Sequence, residues 1–497
     1  MSDTNPDVIV IAGGAAGLSA AIAAAQAGAR VRLFEKAPIT GGTANRGMGP
    51  LGIESRHTRH RQMKPTRDEA FRAFMNYTHW RVDAALVRAF LNRSGDTIHW
   101  LESLGVIFAE PASYFVEAYP TWHLVQPDDG SPPGPGGAAT MMRVLTGKAR
   151  ELGVEISLET PVRRILREND RVCGVAIDHG EGGGEQIVRA PAVIVATGGF
   201  GDNPAMMSEE TGFEWGKDLY SFRIPGLIGE GLRMAWDVGA QSTEMTIEMI
   251  YGMPDGMTIP PALHEACRQP HLMVNVHGER FVDEGIMGNV TFTANAIARQ
   301  HKRSGFLLFD AAILRGMQED FDFRNRVFPS TRIAEPEAMI DGLLKRDYPH
   351  FFKADTIEDL ARQTGIDRDG LNATIETYNE DCDRGYDRLF AKDQRYMRPL
   401  REGPFYAARH LPGGYGTIGG IKIDAETRVI DTEWKPIAGF YAAGNDACAI
   451  HGDSYVFILP GNSMGFAVNT GRIAGEQAAA FAKAATSATI MANGVSV

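Results

Sequence analysis

Cysteine is scarce, four residues in 497, and Cys173, Cys267, Cys382 and Cys448 stand too far apart to form a C-x-x-C pair. That spacing excludes an iron–sulfur cluster, a structural zinc site and the disulfide framework of a small secreted domain. Four reduced thiols fit a cytoplasmic protein, which is the expected location. Basic residues are in the minority as well: 50 Lys and Arg face 62 Asp and Glu, a formal charge of −12. The acidic balance argues against nonspecific nucleic-acid binding, so nucleic acid is not an expected partner. Uninterrupted hydrophobic runs of membrane length are missing. The uncharged stretch 8–29 is broken by Gly13, Gly14 and Gly17 and follows Asp3 and Asp7, where a signal peptide needs basic residues. No membrane span or secretion signal is read there. Glycine, by contrast, is in surplus, 56 against 26 prolines, which points to many tight turns. The length exceeds what one hydrophobic core normally holds and predicts two or three domains.

The first unit is informative. Residues 8–11 form a β-branched run, 13–17 a Gly-rich turn, 18–27 an Ala-rich helix, and 31–34 a second strand ending at Glu35. Such a βαβ unit of about 30 residues sets helix N–H groups and the positive end of the helix dipole under a pyrophosphate, with the acidic residue on a ribose hydroxyl. Glu35 falls 18 residues after Gly17 at a strand end, the spacing the dinucleotide fingerprint requires. Gly14, Ala16, Gly17 and Glu35 are the expected contacts. The first glycine position of the fingerprint is Ala12. Because alanine resists positive φ, Ala12 is expected to keep an ordinary strand-end conformation. Farther on, residues 138–152 read as a helix after the Gly/Pro-rich loop 130–137. Residues 355–379 read as helix, turn, helix: Ile357, Leu360 and Ala361 share a face, Gly365 breaks the run, and Leu371, Ile375 and Tyr378 resume it.

Other motifs follow in order: Glu35-Lys36-Ala37-Pro38 with Gly41-Gly42-Thr43-Ala44, then Glu159-Thr160-Pro161-Val162, then Val193-Ile194-Val195-Ala196-Thr197-Gly198-Gly199-Phe200-Gly201. Gly278-Glu279-Arg280-Phe281-Val282-Asp283-Glu284, Gly419-Gly420-Ile421, Gly439-Phe440-Tyr441-Ala442-Ala443-Gly444 and Gly471-Arg472-Ile473-Ala474-Gly475 complete the series. Over nearly the whole chain these resemble the flavoprotein family of fumarate reductases and succinate dehydrogenases. The resemblance implies an α/β fold: a Rossmann-like FAD-binding domain in two pieces, 1–250 and 405–497, with an inserted α+β capping domain, 251–404. It implies FAD contacts at Lys36, Gly42, Thr43, Ala44, Gly137, Val162, Ala196, Thr197, Gly198, Asn203, Gly444, Asn445, Asn462 and Ser463. The active site would lie beneath the cap, at the domain interface. Residues 43–46 contain no histidine for covalent attachment, so FAD is expected to be noncovalent. With no C-x-x-C-H haem motif and no second βαβ fingerprint, electrons must pass to or from an external donor or acceptor.

The substrate end departs from the family. Gly288 or Asn289 stands where the family's proton-donating arginine should be, Tyr415 and Gly416 where it has a His pair, and Tyr455 where it has a carboxylate-binding arginine. A buried dicarboxylate without those partners would cost several kcal/mol per charge, so a small hydrophobic substrate is expected instead. The apolar insertion 456–460 suits it, and tyrosine in place of arginine resembles, by residue type, the ketosteroid dehydrogenases of the same superfamily. The leading reading is an FAD-dependent oxidoreductase acting on a CH–CH bond next to a carbonyl, as dehydrogenase or ene-reductase, on a hydrophobic ketone such as a 3-ketosteroid or a phenolic compound. Tyr455 is the first candidate for proton transfer, followed by Tyr415, Tyr119 and Tyr251. A rival is reduction of an α,β-unsaturated monocarboxylate held by His264 or Arg268. A rival of another class is an FAD-loaded electron-transfer or binding subunit without chemistry. His123 and His451 align near the flavin side and have either a structural or a functional role there.

Overall fold

Four consecutive apolar residues form β1 (Val8–Ile11), buried along its whole length, and a strand without polar alternation is at home only inside a covered, largely parallel sheet. The computed structural model describes residues 5–179, 184–220, 223–255, 258–324 and 330–494. After β1 come β2 (Val31–Phe34), β3 (Glu155–Ser157), β4 (Val162–Glu168), β5 (Arg171–His179), β6 (Gly184–Arg189) and β7 (Ala192–Val195). A second group comprises β8 (Thr246–Gly252), β9 (Leu272–Val274), β10 (Gly305–Asp310), β11 (Phe351–Ala354) and β12 (Phe405–Ile418), and the last strands are β13 (Arg428–Ile430) and β14 (Pro436–Ala442).

Among the described residues the first sheet has nine strands in the order β3-β2-β1-β7-β14-β5-β4, with β6 beside β5 and β13 beside β14. Its centre is parallel, and the excursion β4-β5-β6 is antiparallel. This is the Rossmann-like architecture the βαβ unit requires. The second sheet, five strands, is antiparallel throughout. It is opened by β8 and closed by β12, which pair with each other, so the chain leaves the nine-stranded sheet before Thr246 and rejoins it after Ile418.

Helix Ala15–Gln26 follows β1 and is buried on almost every side. The last helix, Asn462–Gly494, packs on it so closely that a Cβ at Gly471 would stand 2.2 Å from the Ala16 carbonyl oxygen. Ala12 corrects the expectation of an ordinary strand end: its φ is +80°. The cause is the next turn of helix, where a Cβ at Gly17 would lie 1.9 Å from the Ala12 oxygen. The chain must swing sharply between β1 and the helix, and alanine adopts the left-handed conformation there at a cost of about 1–2 kcal/mol.

In the segment between the two halves of the nine-stranded sheet, helix Ile357–Thr364 is capped by Thr356 and stops at Gly365, and helix Arg368–Arg384 is capped by Asp367. Leu360, Ala361, Leu371, Ile375 and Tyr378 are buried as the helical spacing requires. A buried ionic network anchors this segment. Arg280 donates to Glu284 at 3.0 and 2.8 Å and to Asp387 at 2.8 and 2.9 Å. Lys392 stands 3.3 Å from Glu284 and donates to the Tyr378 hydroxyl at 3.1 Å. No helix among the described residues is long and apolar enough to cross a membrane.

Candidate active site

At the start of helix Ala15–Gln26 the N-cap is Gly14, and no side chain caps it. The first N–H groups therefore have no intrahelical partner, and a Cβ at Gly14 would meet nothing within 4 Å. Open space in front of an uncapped, positively polarised helix end fits a pyrophosphate. Glu35 lies beside it: one carboxylate oxygen accepts from Gly13 N–H at 2.7 Å and the other from Ala37 N–H at 2.8 Å, each keeping a lone pair for a ribose hydroxyl. Gly41 N–H bonds to the Gly13 carbonyl at 2.8 Å, bringing the turn Gly42–Arg46, with Thr43 and Ala44, against Gly14. Helix Ala138–Glu151 starts from that turn through Ala138 N–H to the Gly47 carbonyl at 3.1 Å, and its N-cap, Gly137, has no side-chain partner for the helix end. Val162 opens β4 and is buried, and Ala196 N–H extends the sheet ladder to the Ile11 carbonyl at 3.1 Å.

Four of the expected cofactor residues, Lys36, Asn203, Thr197 and Gly198, have other engagements. Lys36 binds the Gly226 carbonyl at 2.5 Å and pairs with Glu230. Asn203 caps helix Pro204–Thr211 through Met206 N–H and donates to the Ile228 carbonyl at 3.1 Å. Thr197, together with Gly198 and Gly199, gives its donors to one buried carboxylate, Asp446: Thr197 N–H at 2.5 Å, its hydroxyl at 2.8 Å, and Gly198 and Gly199 N–H at 3.0 and 2.8 Å. Asp446 thereby clamps the second FAD-like motif to the turn Gly444–Ala447. Burial pushes its carboxyl above the usual range against the pull of those donors. Sequence reading passed over Asp446; the available signal was an acid between Asn445 and a buried apolar stretch, immediately after a strand.

The clamp carries the chain into the reactive end. Ser463 donates its hydroxyl to Asn445 Oδ1 at 3.2 Å and its N–H to the Tyr455 hydroxyl at 3.2 Å. Tyr455 thus acts as an acceptor at the start of helix Asn462–Gly494, and its own hydroxyl proton remains to be given. Burial pushes its ionisation well above the ordinary phenol value, and the neighbouring Glu248 adds to the shift. Asn462 donates to the Val456 carbonyl at 2.6 Å while its Oδ1 is buried without a partner. His451 Nδ1 accepts from Val456 N–H at 3.2 Å, Nε2 is buried without a partner, and burial lowers the ring to about 3. The insertion packs inward: the Phe457 ring lies 4.7 Å from that of Tyr114 and 5.9 Å from that of Tyr455.

Facing these is the five-stranded sheet, where Glu248 and Tyr251 stand on β8 and Tyr415 on the paired β12. Arg268 donates to the Tyr114 hydroxyl at 3.2 Å, stands 3.7 Å from Glu265 and lies over the Tyr251 ring at 5.1 Å. Tyr251 donates its hydroxyl to the Met287 carbonyl at 3.3 Å, so its proton is committed. Tyr415 is partly buried, and burial with the nearby Tyr114 pushes its ionisation up. His264 stands on the rim, Nδ1 3.5 Å from Glu265. A narrow cleft of about 30 Å³ opens among Tyr114, Phe115, Glu265, Arg268, Gly288 and Phe323. At Gly288 a Cβ would meet Phe115 Cβ at 3.2 Å, and Asn289 caps helix Val290–Ala298, so an aromatic wall and a helix cap stand where the resemblance would place an arginine.

Tyr455, Tyr415 and Tyr251 therefore share one cluster with Tyr114 and Arg268. Tyr119 lies apart: its N–H bonds to the Ile458 carbonyl at 2.9 Å, and its phenol is felt electrostatically by the exposed Lys64. His123 is structural. Its Nδ1 donates to the Thr121 carbonyl at 3.0 Å, so Nε2 accepts from the Ser55 hydroxyl at 2.7 Å, and burial lowers the ring to about 3. Sequence reading missed Tyr114 and Glu248; an acid inside the apolar strand 246–252 was the signal for the second.

Residues 7–463 match the protein family described as FAD binding domain. The chain is 33% identical over 487 residues to a vinyl phenol reductase of Lactiplantibacillus plantarum, covering 96% of each. It is 28% identical over 480 residues to a probable fumarate reductase of Shewanella frigidimarina, covering 95% of this chain and 74% of that one. Among solved structures it shares the fold of a 3-ketosteroid delta1-dehydrogenase from Sterolibacterium denitrificans, with a TM-score of 0.77 at 21% identity, covering 96% of this chain and all of that one. With its uncapped helix end, Glu35 bonded to the turn before it and these likenesses, the chain belongs to the FAD binding domain family and is an FAD-dependent oxidoreductase acting on CH–CH bonds.

Proposed function

We propose that the protein reduces, or in reverse forms, a carbon–carbon double bond conjugated to a phenol or ketone on a small hydrophobic substrate. The tyrosine cluster carries this reading: Tyr415, Tyr251 and Tyr114 surround one guanidinium, Arg268, whose charge Glu265 already offsets, and Tyr455 neighbours Tyr415. Such a surface polarises a neutral oxygen by hydrogen bonds and lacks the set of free cations that a buried dicarboxylate needs. The end-to-end likeness to a vinyl phenol reductase supports a phenolic substrate over a steroid.

FAD, held noncovalently, would exchange hydride with one carbon of the bond. Gly14, Ala16, Gly17, Glu35, Gly42, Thr43 and Ala44 would hold its pyrophosphate and ribose, and Asn445, Asn462 and Ser463 would lie toward the reactive end, beneath a cap built on the five-stranded sheet. Tyr455 gives the proton to the adjacent carbon from a hydroxyl fixed by Ser463 N–H. Its raised ionisation keeps it protonated across physiological pH, as a donor must be. Tyr415 and Tyr114, the latter polarised by Arg268, would hold the substrate oxygen. Electrons come from or go to an external partner, in the cytoplasm.

A second reading has its own support. The partly buried Arg268 lines the cleft and could hold an α,β-unsaturated monocarboxylate. Anaerobic stopped-flow mixing of dithionite-reduced protein with 4-vinylphenol, an α,β-unsaturated ketone, an arylacrylate and fumarate separates the readings. Reoxidation by the phenol or the ketone is expected, with none by fumarate. Reoxidation by the arylacrylate alone would favour the second reading, and no response to any of them would point to a binding or electron-transfer subunit.

A further inference from the structure

We infer that Glu248 is the proton-loading group of this site, taking up a proton when electrons enter the protein and passing it on to Tyr455 after that residue has protonated substrate. The role rests on the FAD oxidoreductase assignment and on the position of the cluster, and is independent of which conjugated substrate is used.

The buried acids of the molecule set Glu248 apart. Glu35 accepts two N–H bonds, and Asp310 accepts from Ile313, Arg401 and Glu402 N–H. Asp381 pairs with Arg388, Asp387 and Glu284 with Arg280, Glu265 with Arg268, and Asp446 accepts four donors. Glu248 is 5% exposed, and its Oε1 is buried with no hydrogen-bond partner. Among the described residues it has no ion pair and no backbone N–H donor. The groups facing it are Tyr415 from β12, Cys448 after the turn Gly444–Ala447, Tyr455, and Ser463 on the last helix. None carries positive charge, and the nearby Ser463 hydroxyl donates to Asn445 Oδ1. A Cβ at Gly416 would stand 4.0 Å from Oε2, so no side chain shields that oxygen there. A carboxylate in this setting is unstable, and burial raises the group to about 7.

The carboxyl is thus poised to change its proton near neutrality, which the paired acids are not. When two electrons enter, added negative charge nearby favours COO⁻ + H⁺ → COOH at Glu248, the proton coming from water. After Tyr455 has given its proton to the substrate carbon, the balance is Tyr455–O⁻ + Glu248–COOH → Tyr455–OH + Glu248–COO⁻. Ser463 stands beside both: its N–H holds the Tyr455 oxygen, and its hydroxyl, which rests on Asn445 Oδ1, lies near the Glu248 carboxyl. The transfer runs downhill, from the more acidic carboxyl to the less acidic phenol.

The test is a spectroelectrochemical titration of the FAD-loaded protein across pH, which reads protons per electron without substrate. For a two-electron couple each additional proton steepens the dependence of the midpoint potential by about 30 mV per pH unit. The wild type should show that extra steepness above about pH 7, where the oxidised protein has lost the Glu248 proton, and Glu248→Gln should lose it. An unchanged break in Glu248→Gln, or no break in the wild type, overturns the role. If Glu248→Gln fails to load FAD, Glu248→Asp is read instead: a break moved to another pH supports the role, and an unmoved one overturns it. Infrared titration of the wild-type apoprotein gives a separate readout, since absence of a carboxyl titrating near neutrality also overturns it. A break that persists while no conjugated phenol or ketone reoxidises the protein would leave this role standing and sink the substrate reading alone.

Discussion

Two buried polar regions, both involving the five-stranded-sheet segment, are built to opposite standards. Around Arg280 every charge is answered: Glu284 and Asp387 take the guanidinium on two sides, and Lys392 completes the set against Glu284 and Tyr378. Around Tyr455 the partners run out. Glu248 Oε1, Asn462 Oδ1 and His451 Nε2 are buried with nothing to bind. Satisfied networks hold a fold, whereas native structures carry few unsatisfied buried groups and each calls for a reason. The reason offered by these positions is a ligand and a proton, since three of them gather around Tyr455; other unpartnered buried atoms, such as those of His271 near Lys392, lie elsewhere.

The largest effect should come from breaking the satisfied network. Arg280→Met leaves Glu284 and Asp387 buried without their cation, and urea denaturation should show a loss of about 3–5 kcal/mol; a loss under about 1 kcal/mol would erase the contrast between the two regions. Next is the pH dependence of the unsatisfied region. Glu248 is raised from 4.5 to about 7 on folding, so its contribution to stability is complete below about pH 4.5 and is lost as pH rises through about 7, on the order of 3 kcal/mol. The apoprotein's melting temperature should fall across that window, and Glu248→Gln should flatten the fall. Glu35→Ala should weaken FAD by about 1–3 kcal/mol in a flavin-fluorescence titration of apoprotein, since a charge-assisted acceptor for the ribose is lost. The smallest effect should be that of Tyr119→Phe: with its phenol outside the cluster, it should alter the substrate-dependent reoxidation rate by no more than about twofold, within the roughly 0.5 kcal/mol typical of substitutions remote from a site.

Much of the scaffold was legible from local pattern. β1 is a continuous apolar run and β2 an apolar run interrupted by Arg32, the ends of both coincide with their strands, and the helices around Gly365 follow their spacing and caps. The dinucleotide turn was legible for the same reason, because Gly14, Gly17 and Glu35 are close in sequence. What escaped depends on distant neighbours. The left-handed Ala12 is forced by the approach of Gly17. The Asp446 clamp joins residues some 250 positions apart, Lys36 is claimed by Glu230, and Tyr114 takes its place in the site only because Arg268 reaches it across 154 positions. Glu248 was hidden differently, since an acid in an apolar strand is most often read as its solvent face until burial is known. Tyr119 illustrates the converse: a tyrosine of the right type in the right segment, directed elsewhere by the backbone pairing with Ile458.

The central claim is that Tyr455 gives the proton that completes reduction of a conjugated double bond. The direct measurement is anaerobic reoxidation of dithionite-reduced Tyr455→Phe by 4-vinylphenol, with the melting temperature recorded on the same sample. The account predicts FAD retained, a stability change of no more than about 1 kcal/mol and a reoxidation rate lower by about 10² to 10⁴. A rate equal to that of the unsubstituted protein would contradict it and return the donor to Tyr415 or Tyr114.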